Sequence, residues 1–282
     1  MLTDETVRDA VRGGLRLRYE VSGEAETNLA QQWVRPPMHL AKVYHEDGWA
    51  TNLLTSPTAG LLSGDLLEVD VELGPDTRVA LISPAACRVH TMETGHAEVV
   101  QHYSVGENAT LDVWPAPIML QAGASLKQTT RLDVAASAQV LFCEIVSPGR
   151  AAHGESFAFE SWRSRFEIYC GGKLSNLENF DCRPAFGDAE NWKKLYPNAS
   201  YACIYLLAED CSEQIVHLAH KLETPDAALG ASMLNRGGVS FKVLAGDGIA
   251  LRKCIFQLRE LAARELEISL PRTVRRAQTF FY

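Results

Sequence analysis

The chain has 282 residues, 46% of them hydrophobic, which is enough apolar material for one large folded unit with a continuous core. Acidic residues outnumber basic ones by 35 to 27, so the net charge of -8 disfavours a broad phosphate-binding surface and therefore a nucleic-acid partner. Seven cysteines without a CxxC pair argue against a disulfide framework and a structural zinc site. We find no secretory leader or membrane-spanning run and expect a cytoplasmic protein without membrane contact.

Alternating residue types predict the first strands. Hydrophobic residues occupy every second position from Leu15 to Val21, with charged residues between them, and the same period of two returns from Leu67 to Leu73. Both segments are therefore expected to be half-buried strands.

An internal repeat follows these strands. Three nine-residue segments, which begin at Leu73, Val105 and Val134, each contain a strand end, a tight turn and the start of a second strand. The steps between them are 32 and 29 residues. Strand pairs at such steps are typical of a layered or solenoid-like β-architecture, although hairpins that merely resemble one another would give the same pattern.

The later part of the chain adds strands and two helices. Strands are predicted at 125–134, 139–146, 156–170 and 201–208, and helices near 210–222, where Asp210 and Glu213 could form a capping box, and at 251–266. The stretch 183–200 predicts a long surface loop or a subdomain boundary within a single domain, 1–282. The expected fold class is mainly β: a layered, β-helix-like stack of strands with two α-helices in the C-terminal half.

Motifs of known enzymes are absent from the sequence, which contains no P-loop, dinucleotide fingerprint, nucleophile elbow or HExxH. Cys87, His90, His96 and His102 fall within sixteen residues and could in principle bind a metal. On a strand, however, Cys87 and His90 would point to opposite faces, and spacings of six match no recognised site. We therefore do not expect a metal site there.

The segment from Ser56 to Asp65, SPTAGLLSGD, would ordinarily be interpreted as a turn. Its order resembles the Pro-x-Gly-Gly-Leu-x-x-Gly-Asp signature of the urease accessory protein UreD family, also called UreH. A longer match, GRAAHGESF from Gly149 to Phe157, follows Glu144. The likeness extends from about Leu15 to Arg272, with departures such as Ala59 and His90. The matched motif positions include Gly60, Gly64, Asp65, Arg88, Gly149, Arg150, Gly154 and Glu155.

The resemblance implies a urease maturation chaperone rather than an enzyme. It implies a β-rich scaffold that binds the urease apoprotein together with UreF and the GTPase UreG. Nickel would be cargo in transit through an internal polar channel, not a tightly bound cofactor. A protein that must release nickel is better served by oxygen ligands than by a Cys/His cage.

The resemblance also implies roles for individual residues. Asp65 and Glu178 match positions that the family associates with the channel, and Glu144 and Glu155 flank the Gly-Arg signature. The alternatives are a turn cap for Asp65 and an ion pair with Arg150 for Glu144 or Glu155; for Glu155 we favour the ion pair.

The second helix and the C-terminal segment are predicted to contact UreF. That segment ends in the aromatic residues Phe280, Phe281 and Tyr282, and apolar residues left outside a core often mark an interface. The alternative is a tail that folds back on its own sheet.

A different function remains open at this point: an intracellular β-solenoid carbohydrate-active enzyme or carbohydrate-binding protein. Exposed tryptophans in a row would favour it, whereas an enclosed polar channel would favour the chaperone. The five tryptophans are Trp33, Trp49, Trp114, Trp162 and Trp192. A self-assembling structural protein is disfavoured by the acidic strand faces.

Overall fold

The computed structural model describes residues 10–23, 26–56, 58–272 and 274. The strands are β1 (Arg12–Ser22), β2 (Glu26–Arg35), β3 (His39–Leu40), β4 (Tyr44–Glu46), β5 (Trp49–Thr55), β6 (Leu66–Leu73), β7 (Arg78–Ile82), β8 (Cys87–Val89), β9 (Ala97–Val105), β10 (Thr110–Trp114), β11 (Ile118–Leu120), β12 (Ser125–Val134), β13 (Gln139–Ser147), β14 (Ser161–Cys170), β15 (Lys173–Cys182), β16 (Ser200–Leu207), β17 (Ala227–Met233) and β18 (Gly238–Ala245). The α-helices are α1 (Glu190–Leu195), α2 (Glu213–Ala219) and α3 (Gly248–Glu265), with 3-10 turns at Ala151–His153 and Pro184–Phe186.

Two sheets form the body of the protein. The first sheet has seven strands in the order β15-β14-β12-β9-β6-β1-β2. The second sheet runs β17-β18-β16-β13-β10-β7-β5-β3, with β4 paired to β5 and the short strands β8 and β11 paired to each other at one corner. The central strands are parallel within each sheet, whereas the antiparallel strands are β2, β3, β4, β15, β16, β17 and β18.

Each sequence repeat corresponds to one coil of a β-solenoid. In the first sheet Leu66 pairs with Glu98, and Ala97 pairs with Leu126, which are offsets of 32 and 29 residues. In the second sheet Thr110 pairs with Arg78 and with Gln139, which gives the same two offsets. The predicted layered stack is therefore confirmed. The hairpin interpretation is wrong, because the two strands of each repeat lie in different sheets.

Polar turn residues stack where the coils change sheets. Asp76 and Asn108 occupy equivalent turn positions with φ of 59° and 55°, a region that Asp and Asn tolerate better than most residues. The Asn108 side chain donates to Asp76 Oδ1 at 3.1 Å, and its backbone N–H donates to Ser137 Oγ at 3.0 Å. These bonds satisfy polar groups between successive coils and hold their register.

The helix predictions are confirmed, with different ends. Helix α2 follows Ser212, whose side chain makes no capping hydrogen bond, so the capping box expected at Asp210 and Glu213 does not form. Helix α3 starts earlier than predicted because the Asp247 carboxylate accepts hydrogen bonds from the N–H groups of Ile249 and Ala250, both at 2.8 Å. The predicted loop 183–200 contains a 3-10 turn and α1, and the strand predicted over 156–170 begins only at Ser161.

Helix α3 covers the outer face of the second sheet. Its apolar side chains, among them Leu251, Ile255 and Leu258, join a core cluster with the outward-facing residues of the sheet. A buried ion pair also joins the two layers, because Arg259 of α3 donates to Asp112 of β10 and lies 4.2 Å from the ring centroid of Trp114. No helix within the described ranges combines the length and apolar character needed to cross a membrane.

Candidate functional site

Three adjoining cavities lie between the two sheets. The first cavity, of about 140 Å³, is lined by Gln101, Tyr103, Gln128 and Glu144 together with apolar residues. The second, of about 660 Å³, shares Glu144 with the first. The third, of about 530 Å³, shares Glu178 and Lys242 with the second. Polar side chains therefore succeed one another from cavity to cavity through a mainly apolar layer.

Strand alternation aims Glu144 into this space. On β13, Phe142 and Val146 face the first sheet, whereas Cys143 and Ile145 pack toward the helices. Glu144 lies two residues after Phe142, on the same face of the strand, and therefore points between the sheets. Its Oε1 accepts hydrogen bonds from Gln128 Nε2 at 2.7 Å and Thr130 Oγ1 at 2.6 Å, both on β12 of the opposite sheet.

The hydrogen bonds continue from Glu144 to β9. Gln101 Nε2 donates to Thr130 Oγ1 at 3.3 Å, and the Tyr103 hydroxyl donates to Gln101 Oε1 at 3.1 Å. The result is one connected polar network between two apolar sheet faces, and such networks position their members more rigidly than isolated contacts do.

The environment of Glu144 favours its protonated form. Burial raises the pKa of this carboxyl to about 7, although hydrogen bonds from Thr130 and Gln128 favour the charged form; the charge of Glu178 raises the pKa further. The carboxyl group can therefore exchange a proton near neutral pH.

Because of this raised pKa, we expect Glu144→Gln to increase the free energy of unfolding by an amount that depends on pH. The wild type loses stability as pH rises from the ordinary carboxyl value to about 7, because the folded state must then bury a charge. In metal-free buffer at pH 8, we expect the variant to be more stable by roughly 2 kcal/mol, and the difference to disappear near pH 4. Urea unfolding at both pH values measures it. Glu72→Gln, on the exposed face of β6, is the control; an equal gain there would contradict the assignment to Glu144.

Glu178 connects the second and third cavities. It lies on β15, and its Oε2 accepts a hydrogen bond from Lys242 Nζ at 2.7 Å, so that an ion pair bridges the edges of the two sheets. Cys203 also lines the second cavity, where burial raises the pKa of its thiol to about 12. In the absence of a metal ion the Cys203 thiol is therefore protonated at neutral pH.

Asp65 occupies a different part of the fold. It is 3% exposed and caps the turn before β6: its two carboxylate oxygens accept from the N–H groups of Leu62 and Val11, each at 2.8 Å. Strands β6 and β15 are four positions apart in the first sheet, a separation of roughly 19 Å. The structure thus places Glu144 and Glu178 along one row of cavities and Asp65 in a turn elsewhere. A role of Asp65 in nickel transfer stays a prediction.

The motif glycines and the Gly-Arg signature lie in corner loops. Glu155 forms an ion pair with Arg150, with Nε to Oε2 at 2.8 Å, as we favoured. Glu144 instead uses Gln128 and Thr130, so the alternative ion pair with Arg150 is wrong for Glu144. Gly60 and Gly64 have positive φ, and Gly60 approaches the Arg88 backbone too closely for any Cβ; Gly154 also has positive φ.

Neither a histidine-cysteine metal cluster nor a row of exposed tryptophans occurs within the described ranges. No group of three His, Cys, Asp or Glu side chains that could hold a metal occurs there, and His102 instead pairs with Asp70 and Asp133 on the outer sheet face. Of the five tryptophans, all in described positions, only Trp33 is exposed, at 44%. The row of exposed tryptophans that would favour the carbohydrate interpretation is therefore absent from the described ranges; Trp162 and Trp192 instead line the second cavity together with Glu144 and Glu178.

Sequence reasoning did not identify Gln101, Gln128, Thr130 or Lys242. A usable signal was present in β12, where Gln128 and Thr130 occupy the same inward face as the buried Leu126 and Leu132. Polar residues at apolar positions of an alternating strand indicate a buried network or cavity.

Comparisons with known proteins agree with the motifs. The family model described as UreD urease accessory protein matches residues 11–278. Urease accessory protein UreD of Opitutus terrae is 30% identical over 257 residues, covering 89% of this chain and 94% of the relative. UreH of Helicobacter hepaticus is 28% identical over 230 residues, covering 82% and 90%, and UreD of Haemophilus influenzae strain 86-028NP is 30% identical over 264 residues, covering 88% and 97%. The chain therefore belongs to the UreD family of urease accessory proteins.

Proposed function

We propose that this protein is a non-catalytic, cytoplasmic scaffold that binds the urease apoprotein together with UreF and UreG and passes nickel toward the urease active site. Family membership supports the role in urease maturation. The observation that carries the nickel route is the succession of Glu144 and Glu178 along adjoining cavities between the sheets. Nickel is the cargo and not a resident cofactor.

The chemistry of these cavities suits transfer rather than storage. Carboxylate, carboxamide and hydroxyl oxygens are weaker ligands for nickel than thiolate and imidazole clusters, so a cation held by them is readily released. Two carboxylates in succession also offset part of the cost of taking a hydrated cation away from bulk water. At Glu178, the Lys242 ammonium group balances the carboxylate charge. A passing cation can take the place of that ammonium group.

Loss of both carboxylates tests this route. We expect the Glu144→Gln, Glu178→Gln double variant to remain folded and to bind UreF, but to lower urease activity and urease nickel content in cells by at least about tenfold at limiting nickel. The matched control is a double variant of Glu72→Gln and Glu98→Gln on the outer sheet face, which we expect to behave as the wild type. Full activation by the cavity variant would contradict the route.

Asp65 requires a separate test because its carboxylate has a structural task. Both oxygens accept backbone hydrogen bonds, whereas asparagine can accept only at one of the two positions. A loss of urease activation in Asp65→Asn therefore bears on nickel transfer only if the thermal stability of the variant equals that of the wild type.

The proposed UreF contact lies on α3 and the C-terminal segment. The apolar face of α3 packs on its own sheet, so its outer, charged face is left for the proposed contact. Phe280, Phe281 and Tyr282 lie outside the described residues. Truncation after Arg276 is the test, and undiminished UreF binding by the truncated chain would remove the tail from the proposed interface.

A further inference from the structure

An apolar groove opens on the outer face of the second sheet, beside the first turn of α3. Its volume is about 420 Å³, and its wall includes the corner residues that follow β7 and β10. Ile249 lines the groove and is 58% exposed. The other large apolar side chains include Pro84, Trp114, Pro115, Pro117 and Met119. An exposed apolar surface of this kind is typical of a site that another segment covers.

The described part of the chain ends on the same face of the sheet. Val274 is 5% exposed and belongs to the core cluster that also contains Trp114 and Leu251 of the groove. Just before it, Arg272 Nε lies 3.3 Å from Glu46 Oε1 of β4. The segment 275–282, RRAQTFFY, follows and ends in three aromatic residues. Aromatic side chains bury a large apolar area, so this segment is suited to an apolar groove within its reach.

The strand register gives the distance from Arg272 to the groove. Through the pairing of β4 with β5, of β5 with β7 and of β7 with β10, Glu46 is level with Thr110. Trp114 therefore lies three strand spacings, about 14 Å, across the sheet and four residues, about 13 Å, along it, which gives a separation of roughly 19 Å. The eight residues from Arg272 to Phe280 extend over up to about 26 Å. The segment is thus long enough to bring its aromatic residues to the groove.

We propose that the C-terminal segment 277–282 of the same chain docks in this groove, with Phe280 and Phe281 as its apolar anchors. Tethering favours this occupant over a second copy, because a segment attached so close to the groove is present at a high effective concentration. Docking covers Ile249 and holds the end of the chain beside α3, so any partner that uses the groove must first displace the segment. The proposal concerns the isolated chain and does not depend on the proposed function.

Photo-cross-linking of the purified full-length chain tests this contact. A p-benzoylphenylalanine in place of Phe281 reacts with nearby C–H bonds and favours those of methionine, and Met119 lines the groove. We expect cross-links within one chain, mapped by mass spectrometry to Met119 or to the peptide that carries Ile249. Cross-links to another surface, covalent dimers on a denaturing gel or the absence of any cross-link would each overturn the proposal.

A variant of the groove shows whether the groove itself holds the segment. Ile249→Asp adds a charge at an exposed position, so we expect the fold to be retained and the cross-link yield to fall at least about tenfold. Phe186→Asp is the matched control, because Phe186 is 76% exposed and does not line the groove; its yield should equal that of the parent chain. Equal yields for Ile249→Asp and the parent chain would overturn the assignment to the groove.

Discussion

Arg259→Met is expected to lower the free energy of unfolding by about 3–5 kcal/mol, because it leaves a carboxylate buried without its cation. Asp112 is 1% exposed and Arg259 3% exposed. The Arg259 guanidinium donates to Asp112 Oδ2, whereas Oδ1 makes no hydrogen bond among the described residues. Methionine fills similar volume, so the change removes the charge with little loss of packing. Urea denaturation of the purified chain measures the effect.

The pH dependence identifies the cause of this loss. Burial raises the pKa of Asp112, and the charge and hydrogen bond of Arg259 oppose that rise. Removing Arg259 therefore raises the pKa further. Since a raised carboxyl pKa removes stability as pH increases, we expect the deficit of Arg259→Met to shrink on acidification.

Two further variants serve as controls for the ion pair. Adding Asp112→Asn to Arg259→Met should recover part of the stability, because the uncompensated charge disappears. Arg264→Met, at an exposed position on the same helix, should change stability by less than about 0.5 kcal/mol. A loss below about 1 kcal/mol for Arg259→Met would show that Asp112 is solvated or otherwise neutralised.

Gly149→Ala is the second large expected effect, with a loss of about 3 kcal/mol or more. Gly149 has φ of 142°, and an added Cβ would lie 1.8 Å from the Glu155 carbonyl oxygen. The backbone must shift to accept alanine, which disturbs the loop carrying Arg150 and Glu155. Chemical denaturation measures the loss.

Gly154 supplies a matched control within the same signature. It also has positive φ, at 72°, but an added Cβ would meet nothing within 4 Å. Gly154→Ala should therefore lower the free energy of unfolding by only about 1 kcal/mol, the penalty of the left-handed backbone conformation for alanine. Equal losses for the two alanine variants would show that the close approach at Gly149 is relieved by a small local movement.

The sequence by itself determined most of the strands and the way they stack. Period-two alternation is a local property of a strand with one buried face, so segments such as Leu15 to Val21 were identifiable without a tertiary structure. The repeat steps of 32 and 29 residues equal the pairing offsets of the parallel strands, because one coil of a solenoid uses a nearly constant length of chain. Helix ends were less certain, since a single cap such as Asp247 sets them.

Only the tertiary structure decided which polar residues meet. Glu144 and Glu178 were identified by resemblance to a family, but Gln128 and Thr130 reach Glu144 from the opposite sheet. Contacts of this kind depend on the packing of two sheets and leave no spacing signal in the chain. The same is true of Asp112 and Arg259, which are 147 residues apart. Asp65 shows the converse: its motif is local and so was found, but its position four strands from β15 follows from the strand order of the sheet.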